Sequence, residues 1–330
     1  MSSTNTTQTC ALCSKEATLR CSGCGDSPEY RLGDALDTFY CSRACQREHR
    51  PTHKSRCKAK GLRVKLGRAV IMLRLGMLTY REIFYDLNLT KVESRDDVLF
   101  LHHKEPKPGA SFKFRPFPNH LVTNWVIQHA VLCHNQSIAA IALLGRLARK
   151  LFPDAGVPCT LETLDLHLGN FGVCTRTVPG PEHTNIIHTV IKVTLSFPPN
   201  IATEPEAWVI DPAGCQYGTP ILAPYEEYIA AHKCRILNGP SAYTATETTD
   251  VDDFQSLLEL SPHSEILNEM QNWDSQRWLL ERRARMKFAA WVDEGSGYHV
   301  WKRALDGTSH EWLEKLRASK SVIRRFLLTR

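Results

Sequence analysis

Cysteine spacing near the N-terminus is the feature that most constrains this fold. Of the 12 cysteines in the 330-residue chain, most lie before residue 58, and they occur in short-range pairs. With one histidine they form four pairs, Cys10-x2-Cys13, Cys21-x2-Cys24, Cys41-x3-Cys45 and His53-x3-Cys57. Four pairs supply eight ligands, the number that two tetrahedral zinc ions require.

The spacing within each pair predicts its local structure. Two intervening residues let both sulfurs reach one metal from a tight turn, so the first two pairs are expected on knuckle-like turns. Three intervening residues put two ligands on one face of a helix, so the last two pairs are expected on short helices. Because apolar residues are scarce from 1 to 60, metal binding is expected to supply folding free energy, about 10 kcal/mol per zinc. Protein ligands would fill every position of each ion, so zinc is expected to be structural and not catalytic.

A disulfide framework is the alternative interpretation of these cysteines. The number of cysteines in this segment is odd, and His53 completes the last pair. The polar N-terminus MSSTNTTQT lacks the pattern of a secretory signal. We therefore expect a reducing compartment, the nucleus or the cytoplasm, where cysteines are metal ligands, nucleophiles or buried apolar groups. Zinc is the favoured interpretation.

The segment from Cys10 to Cys57 resembles the MYND zinc finger. The matching features are the C-x2-C pairs, the seven-residue gap from Cys13 to Cys21, the aromatic Tyr40, and the third and fourth pairs. The resemblance implies a cross-brace of two ligand sets. The first zinc would be held by Cys10, Cys13, Cys41 and Cys45, and the second by Cys21, Cys24, His53 and Cys57.

The resemblance also implies a protein-interaction module that binds short proline-containing peptides in a shallow groove. One departure affects that expectation. The family commonly has a tryptophan where this chain has His49 or Arg50, so an aromatic wall of the groove would be missing. His49 stands where the family often has an acidic residue, and we leave it out of the ligand set.

A basic run follows the last ligands. Residues 1–68 carry 13 Lys/Arg against 6 Asp/Glu, within a chain of net charge +6. Such a run fits either a contact for nucleic acid or an acidic partner, or the solvated face of a helix. We favour the helix, which would begin near Leu62 and bury Val64, Ile71, Leu75 and Leu78.

The remainder predicts an α+β domain. We expect the finger over 1–60 and the larger domain over 61–330, with a core at about 120–235 and a helical region at about 251–330. Helices are predicted over 61–89 and 119–152, the second ending at Pro153. VLFLHH reads as a strand, and strands within 161–177, 186–197 and 207–211 suggest an antiparallel sheet.

Turn signals and tryptophans complete the prediction for this domain. The loop PGPEHTN suggests a hairpin between the first two strands of the sheet, and 240–255 is predicted to be an exposed loop. Trp273, Trp278 and Trp291 are expected to anchor the C-terminal helices in the core. No run of about eighteen apolar residues is present, so no membrane span is expected.

A second constellation raises the question of catalysis. Cys133 precedes a predicted buried helix, His188 opens a strand and Asp211 ends the next, an order that suits nucleophile, base and orienting carboxylate. Residues 120–222 weakly resemble the transglutaminase-like, papain-related fold. VLCHNQS is a poor match for the nucleophile, and a shift placing Ser137 there would imply an inactive relative. If Asn135 caps the buried helix, Cys133 lies two residues before it, and if the helix is continuous from residue 121, Cys133 is a buried apolar thiol. His134, His167 and His183 are alternative bases, and a core cysteine with a satisfied strand histidine is the non-catalytic interpretation.

These patterns favour a zinc-binding adaptor or regulatory protein whose finger recruits a protein partner to the C-terminal domain. Two alternatives stay open. One is a transglutaminase-like acyl transferase or hydrolase using Cys133, His188 and Asp211. The other is a transcription-associated regulator, which rests on the basic run and the family resemblance. The sequence leaves the oligomeric state open.

Overall fold

The computed structural model describes residues 8–105, 111–180, 187–199, 201, 204–249, 267–294, 296–305 and 309–329. Within them the chain has the expected α+β architecture, with an N-terminal finger followed by a larger domain of sheets and C-terminal helices. No single described helix is long and apolar enough to cross a membrane. Two helices pass that test only when taken together, and they meet at an angle of 91°.

The finger is built on a small sheet and the start of a long helix. Strands β1 (Leu19–Arg20) and β2 (Phe39–Tyr40) pair antiparallel. Helix α1 (Arg43–Ile83) is capped at its N-terminus by Ser42. The Ser42 side chain accepts a hydrogen bond from the Cys45 backbone N–H at 3.2 Å. Serine is well suited to this position because its hydroxyl pairs with an otherwise unpaired N–H of the first turn.

Helix α1 differs from the prediction in length and in the face that it buries. The predicted short helices and the predicted helix over 61–89 are one continuous helix that passes residue 60 and contains Pro51. Its buried apolar side chains recur every three or four residues, at Leu66, Ala69, Val70, Leu73 and Met77. Of the four expected core residues only Leu78 is buried, Val64 and Leu75 are half-buried, and Ile71 is exposed.

The predicted helix over 119–152 is two helices. Helix α2 (Trp125–Leu132) and helix α3 (Ser137–Asp154) meet at 91°. The break contains Asn135 at φ +53°, a left-handed conformation that asparagine adopts more readily than most residues. Pro153 does not stop α3 but lies in its last turn.

Five strands form an antiparallel sheet in the order β10-β5-β7-β8-β9. Their bounds are Cys159–His167 (β5), Ile187–Leu195 (β7), Glu206–Ile210 (β8), Leu222–Pro224 (β9) and Arg235–Ala242 (β10). The predicted sheet is therefore present, and α3 packs against β7. Strand β10 occupies the start of the region predicted as a loop, and residues 250–255 of that loop lie outside the described residues.

A second sheet has the order β3-β4-β6. Its strands are β3 (Leu89–Arg95), β4 (Val98–His103) and β6 (Cys174–Val178), and β4 and β6 run parallel. The segment 161–177 therefore contributes to two sheets. Strands β5 and β7 do pair antiparallel, but the chain visits β6 between them, so the predicted hairpin is not a simple one. Most of its PGPEHTN loop lies outside the described residues.

The C-terminal helices cover one side of α1 and α3. They are α5 (Leu267–Asp293), α6 (Ser296–Ala304) and α7 (Ser309–Thr329), while α4 (Tyr225–Ala231) joins β9 to β10. Trp291 is buried as predicted, and its ring lies 4.8 Å from that of Trp301. The side chains of Trp273 and Trp278 lie outside the described residues.

Candidate functional site

The eight predicted ligands converge on two points. The first cluster contains Cys10, Cys13, Cys41 and Cys45, and the second contains Cys21, Cys24, His53 and Cys57. Within each cluster all ligand atoms lie within 4.8 Å of one another. The grouping is the interleaved one that the family resemblance implies. Cys41, just before α1, joins the first cluster, and His53 and Cys57, on α1, join the second.

The distances fit tetrahedral zinc. With Zn–S near 2.3 Å, two sulfurs of a tetrahedron lie about 3.8 Å apart, and with Zn–N near 2.0 Å a sulfur and a nitrogen lie about 3.5 Å apart. The Sγ–Sγ distances are 3.5 Å for Cys13–Cys41 and 3.8 Å for Cys21–Cys57. Cys24 Sγ lies 3.5 Å from His53 Nε2. The donor sets, S4 and S3N, are those that structural zinc prefers.

Comparison with known proteins identifies this segment. Residues 10–57 match the family model described as MYND finger. This segment is a MYND finger. The match covers about one seventh of the chain. No curated protein and no solved structure gave a significant match, so the likeness of residues 120–222 to the transglutaminase-like fold stays a prediction.

His49 and Tyr40 lie beside the second cluster of the MYND finger. His49 is not a member of either ligand cluster, and its Nδ1 lies 3.1 Å from the Tyr40 hydroxyl. Its ring stacks on His53 at 5.7 Å with an interplanar angle of 19°. His49 therefore packs beside the second cluster, in contact with both His53 and Tyr40.

The MYND finger is fastened to the larger domain by a buried ion cluster. Arg63, on α1, donates to both carboxylate oxygens of Glu206, on β8, with its shortest bond at 2.6 Å. Arg63 also pairs with Asp34 of the finger at 2.9 Å. Only 7% of the Arg63 side chain and 2% of the Glu206 side chain are exposed. Arg63 thus joins a finger loop to the five-stranded sheet of the larger domain.

Aromatic and backbone contacts extend this interface. The Tyr30 ring lies 5.1 Å from the Trp208 ring, and the Tyr30 hydroxyl accepts a hydrogen bond from the Ala207 backbone at 3.2 Å. Lys60 is buried, and its Nζ donates to the Leu36 carbonyl at 2.6 Å. Lys60 and Arg63 belong to the basic run that was predicted to be the solvated face of a helix, and the interface was not predicted because their partners lie far along the chain.

A groove of about 1050 Å³ opens beside the second cluster. Helix α1 contributes Lys58, Leu62 and Lys65 to its lining. Ile201 and Leu305 contribute apolar surface from the larger domain. Neither lysine forms an ion pair within the part of the chain that the structure describes. The lining also includes the basic residues Arg20 and Arg68 and the acidic residues Asp26 and Glu311, so the groove combines apolar walls with an excess of positive charge.

Of the three predicted catalytic residues, two come together. His188, on β7, lies 2.8 Å through Nε2 from Asp211 Oδ1, and both side chains are fully buried. Asp211 Oδ2 accepts hydrogen bonds from Thr219 at 2.5 Å and Tyr228 at 2.8 Å. Burial disfavours the charged carboxylate, but His188 and these donors lower the pKa of Asp211 below its usual value.

Cys133 is placed differently. It caps the C-terminus of α2 and lies four positions before Ser137, the first residue of α3, so it is not at the α3 N-terminus, where a helix dipole would lower the pKa of a thiol. Its Sγ lies 3.9 Å from the Pro212 carbonyl oxygen and 3.1 Å from Cys215 Sγ. Burial, together with Cys215, raises the pKa of the Cys133 thiol. Among the described residues Cys133 has no hydrogen bond to His188, whose buried Nδ1 has no partner. A catalytic role for this trio stays a prediction.

The alternative residues take other positions. Ser137 is the first residue of α3. The Nδ1 atom of His134 lies 2.7 Å from the Thr175 hydroxyl, which ties the α2–α3 break to β6. His167 ends β5, and His183 lies outside the described residues.

Proposed function

We propose that this protein is an adaptor or regulatory protein in which a zinc-bound MYND finger recruits a protein partner to the larger domain. MYND fingers generally mediate protein interactions, which supports the coarse function. The observation that carries the finer proposal is the groove, because finger and larger domain both line it. A segment bound there would contact both parts of the chain at once.

Two zinc ions with a structural role belong to this proposal. Each four-residue cluster can supply a complete tetrahedron, which leaves no position for a water or substrate molecule. The finger has a small apolar core of its own, formed largely by Tyr40, Ala17 and cysteines. Zinc would therefore hold β1, β2 and the first turns of α1 together.

The partner segment is expected to be acidic and partly apolar. Lys58 and Lys65 would pair with carboxylates, and Leu62, Ile201 and Leu305 would cover apolar side chains. A groove of this volume accommodates several residues of an extended chain. This chemistry differs from that implied by the resemblance, in which proline-containing peptides pack on an aromatic wall.

A peptide-display selection with the zinc-loaded, full-length chain as bait tests the proposal. We expect enrichment of acidic peptides that also carry apolar residues. Combined Lys58→Glu and Lys65→Glu should weaken a selected peptide about tenfold to a hundredfold, since each reversed charge contributes about 1 kcal/mol. Lys54→Glu is the matched control, because Lys54 is exposed on α1 but does not line the groove.

Three results would count against the proposal. They are a selection without an enriched motif, equal affinity for the double variant, and equal weakening by Lys54→Glu. A duplex DNA probe separates the nucleic-acid alternative. Duplex binding that falls steeply with salt and disappears in the double variant would favour that alternative over a peptide partner.

A further inference from the structure

A thiol pair lies where α2 ends, away from the finger. Cys133 and Cys215 are 82 positions apart in sequence, yet their sulfurs are 3.1 Å apart. Both are free thiols. A disulfide bond measures about 2.05 Å, so closing one here requires the sulfurs to approach by about 1 Å. Neither cysteine belongs to the two ligand clusters of the finger.

The two thiols differ in access. Cys133 is fully buried, whereas Cys215 is half-buried and lines a cavity of about 320 Å³. Trp125 and Val126 contribute exposed apolar surface at this cavity, and Arg74 lines it as well. The volume lies at the lower end of the range for small-molecule sites. A small reagent can therefore reach Cys215 but not Cys133.

The two thiols also differ in the direction in which their surroundings shift the pKa. The nearby Cys133 thiol lowers the pKa of Cys215, and the Arg74 guanidinium acts in the same direction against the effect of burial. Burial raises the pKa of Cys133. Arg74 is held in place by a hydrogen bond of 3.2 Å to the Asp211 carbonyl oxygen. The accessible thiol is thus also the one that ionises more readily, as attacking cysteines require.

We propose that Cys215 and Cys133 form a thiol–disulfide exchange site for low-molecular-weight disulfides that carry carboxylates. The Cys215 thiolate attacks one sulfur of R–S–S–R, forming a mixed disulfide in the cavity and releasing R–S⁻, which takes up a proton. The Cys133 thiol loses its proton to solvent and attacks Cys215 Sγ, releasing the second R–S⁻. The balance is one R–S–S–R and two protein thiols converted to one protein disulfide and two R–SH. Arg74 would pair with a carboxylate of R.

Oxidised glutathione is the probe. The zinc-loaded, full-length chain is incubated with it, quenched with acid and digested with trypsin. Residues 114–146 and 193–233 are tryptic peptides with one cysteine each, Cys133 and Cys215, so mass spectrometry identifies their cross-link unambiguously. The wild type should give the cross-linked peptide, preceded by glutathione on Cys215.

Variants assign the two roles. Cys215→Ser should abolish both the mixed disulfide and the cross-link. Cys133→Ala should stop the reaction at a mixed disulfide on Cys215, and the small apolar substitution keeps the buried site free of an unpaired hydroxyl. Cys234→Ala, at a half-buried cysteine outside the pair, should leave the yield unchanged. Thermal unfolding of each variant shows whether it has folded.

Substitutions at Arg74 test whether its positive charge promotes the reaction of Cys215. Arg74→Met should slow mixed-disulfide formation about threefold to tenfold, and Arg74→Lys should slow it less, because the thiolate fraction follows the nearby positive charge. The proposal is overturned if Cys133 reacts before Cys215, if a mixed disulfide on Cys215 persists in the wild type without a cross-link, or if neither cysteine reacts while the zinc is retained.

Discussion

Glu206→Gln tests the ion cluster that fastens the finger to the larger domain. In the wild type, Glu206 accepts hydrogen bonds from Arg63 Nε at 2.9 Å and Nη2 at 2.6 Å, and from the Trp208 indole at 3.3 Å. The substitution leaves a buried guanidinium with Asp34 as its remaining carboxylate. Breaking a buried ion pair from one side costs about 3 to 5 kcal/mol. Because Asp34 still compensates part of the charge, we expect a loss of about 3 kcal/mol.

Urea unfolding of the zinc-saturated protein at neutral pH measures this loss. Tryptophan fluorescence and far-UV circular dichroism should give coincident transitions if the unfolding is two-state. Hydrogen exchange gives a local readout, since amides of residues 28–36 should exchange faster when the finger loosens. Glu204→Gln is the control, because the Arg31–Glu204 pair is 4.0 Å long and both side chains are largely exposed. We expect that variant to match the wild type.

A double-mutant cycle decides whether the cluster acts as a unit. Arg63→Met with Glu206→Leu replaces both buried charges by apolar groups of similar size. That combination should lose less stability than the sum of the single changes, because neither single variant's unpaired charge remains. A loss of less than about 1 kcal/mol for Glu206→Gln, or single effects of Arg63→Met and Glu206→Leu that add without coupling, would contradict a stabilising role for the cluster.

Three further predictions follow from other parts of the chain. Metal analysis should return two zinc ions per chain, and Cys21→Ser should release zinc and unfold residues 10–57; one ion or none would contradict the assignment. Arg81 and Arg277 overcome the effect of burial and hold the pKa of Asp86 at about 2, so its contribution of about 2 kcal/mol is complete above about pH 5 and is lost as pH falls through about 2. Asp86→Asn should remove it and flatten that limb of the urea-unfolding curve against pH; an unchanged limb would contradict the reasoning. A Cβ at Gly145 would clash with the Ala245 carbonyl oxygen, so Gly145→Ala should cost about 1 to 3 kcal/mol in the same assay, whereas a stable variant would show that residue 245 can move.

The finger was predictable because its chemistry is local. Metal ligands recur at spacings that the geometry of zinc dictates, and no other interpretation accounts for both the odd number of cysteines and His53. The division of the ligands between two ions was not predictable from their spacing. It brings Cys13 to Cys41 across 28 positions, and only the family resemblance indicated it before the structure did.

The missed features depend on contacts distant in sequence. From the sequence, Arg63 was one more basic residue on the solvated face of a helix. In the structure it is buried, because it pairs with the Glu206 carboxylate, 143 positions away. A break at Asn135 was one of two alternatives, because apolar periodicity continues on both sides of the polar run His134-Asn135-Gln136. The pairing of Cys215 was overlooked because its partner, Cys133, lies 82 positions away in the sequence.

Helix α1 connects the two ligand clusters of the finger to the core of the larger domain. It carries Cys45 of the first cluster and His53 and Cys57 of the second, and the same rod continues into the apolar core. Lys60 and Arg63 lie on α1 between the zinc ligands and the segment that packs in the core, and they bind Leu36 and Asp34 of the finger directly. Zinc loss would therefore free the start of α1 while its core half stays packed, which would remove one wall of the groove and leave the other. The adaptor proposal thus requires that partner binding depend on zinc even though Lys58 and Lys65 are not ligands. Peptide binding that survives complete zinc removal would show that the groove does not need the finger.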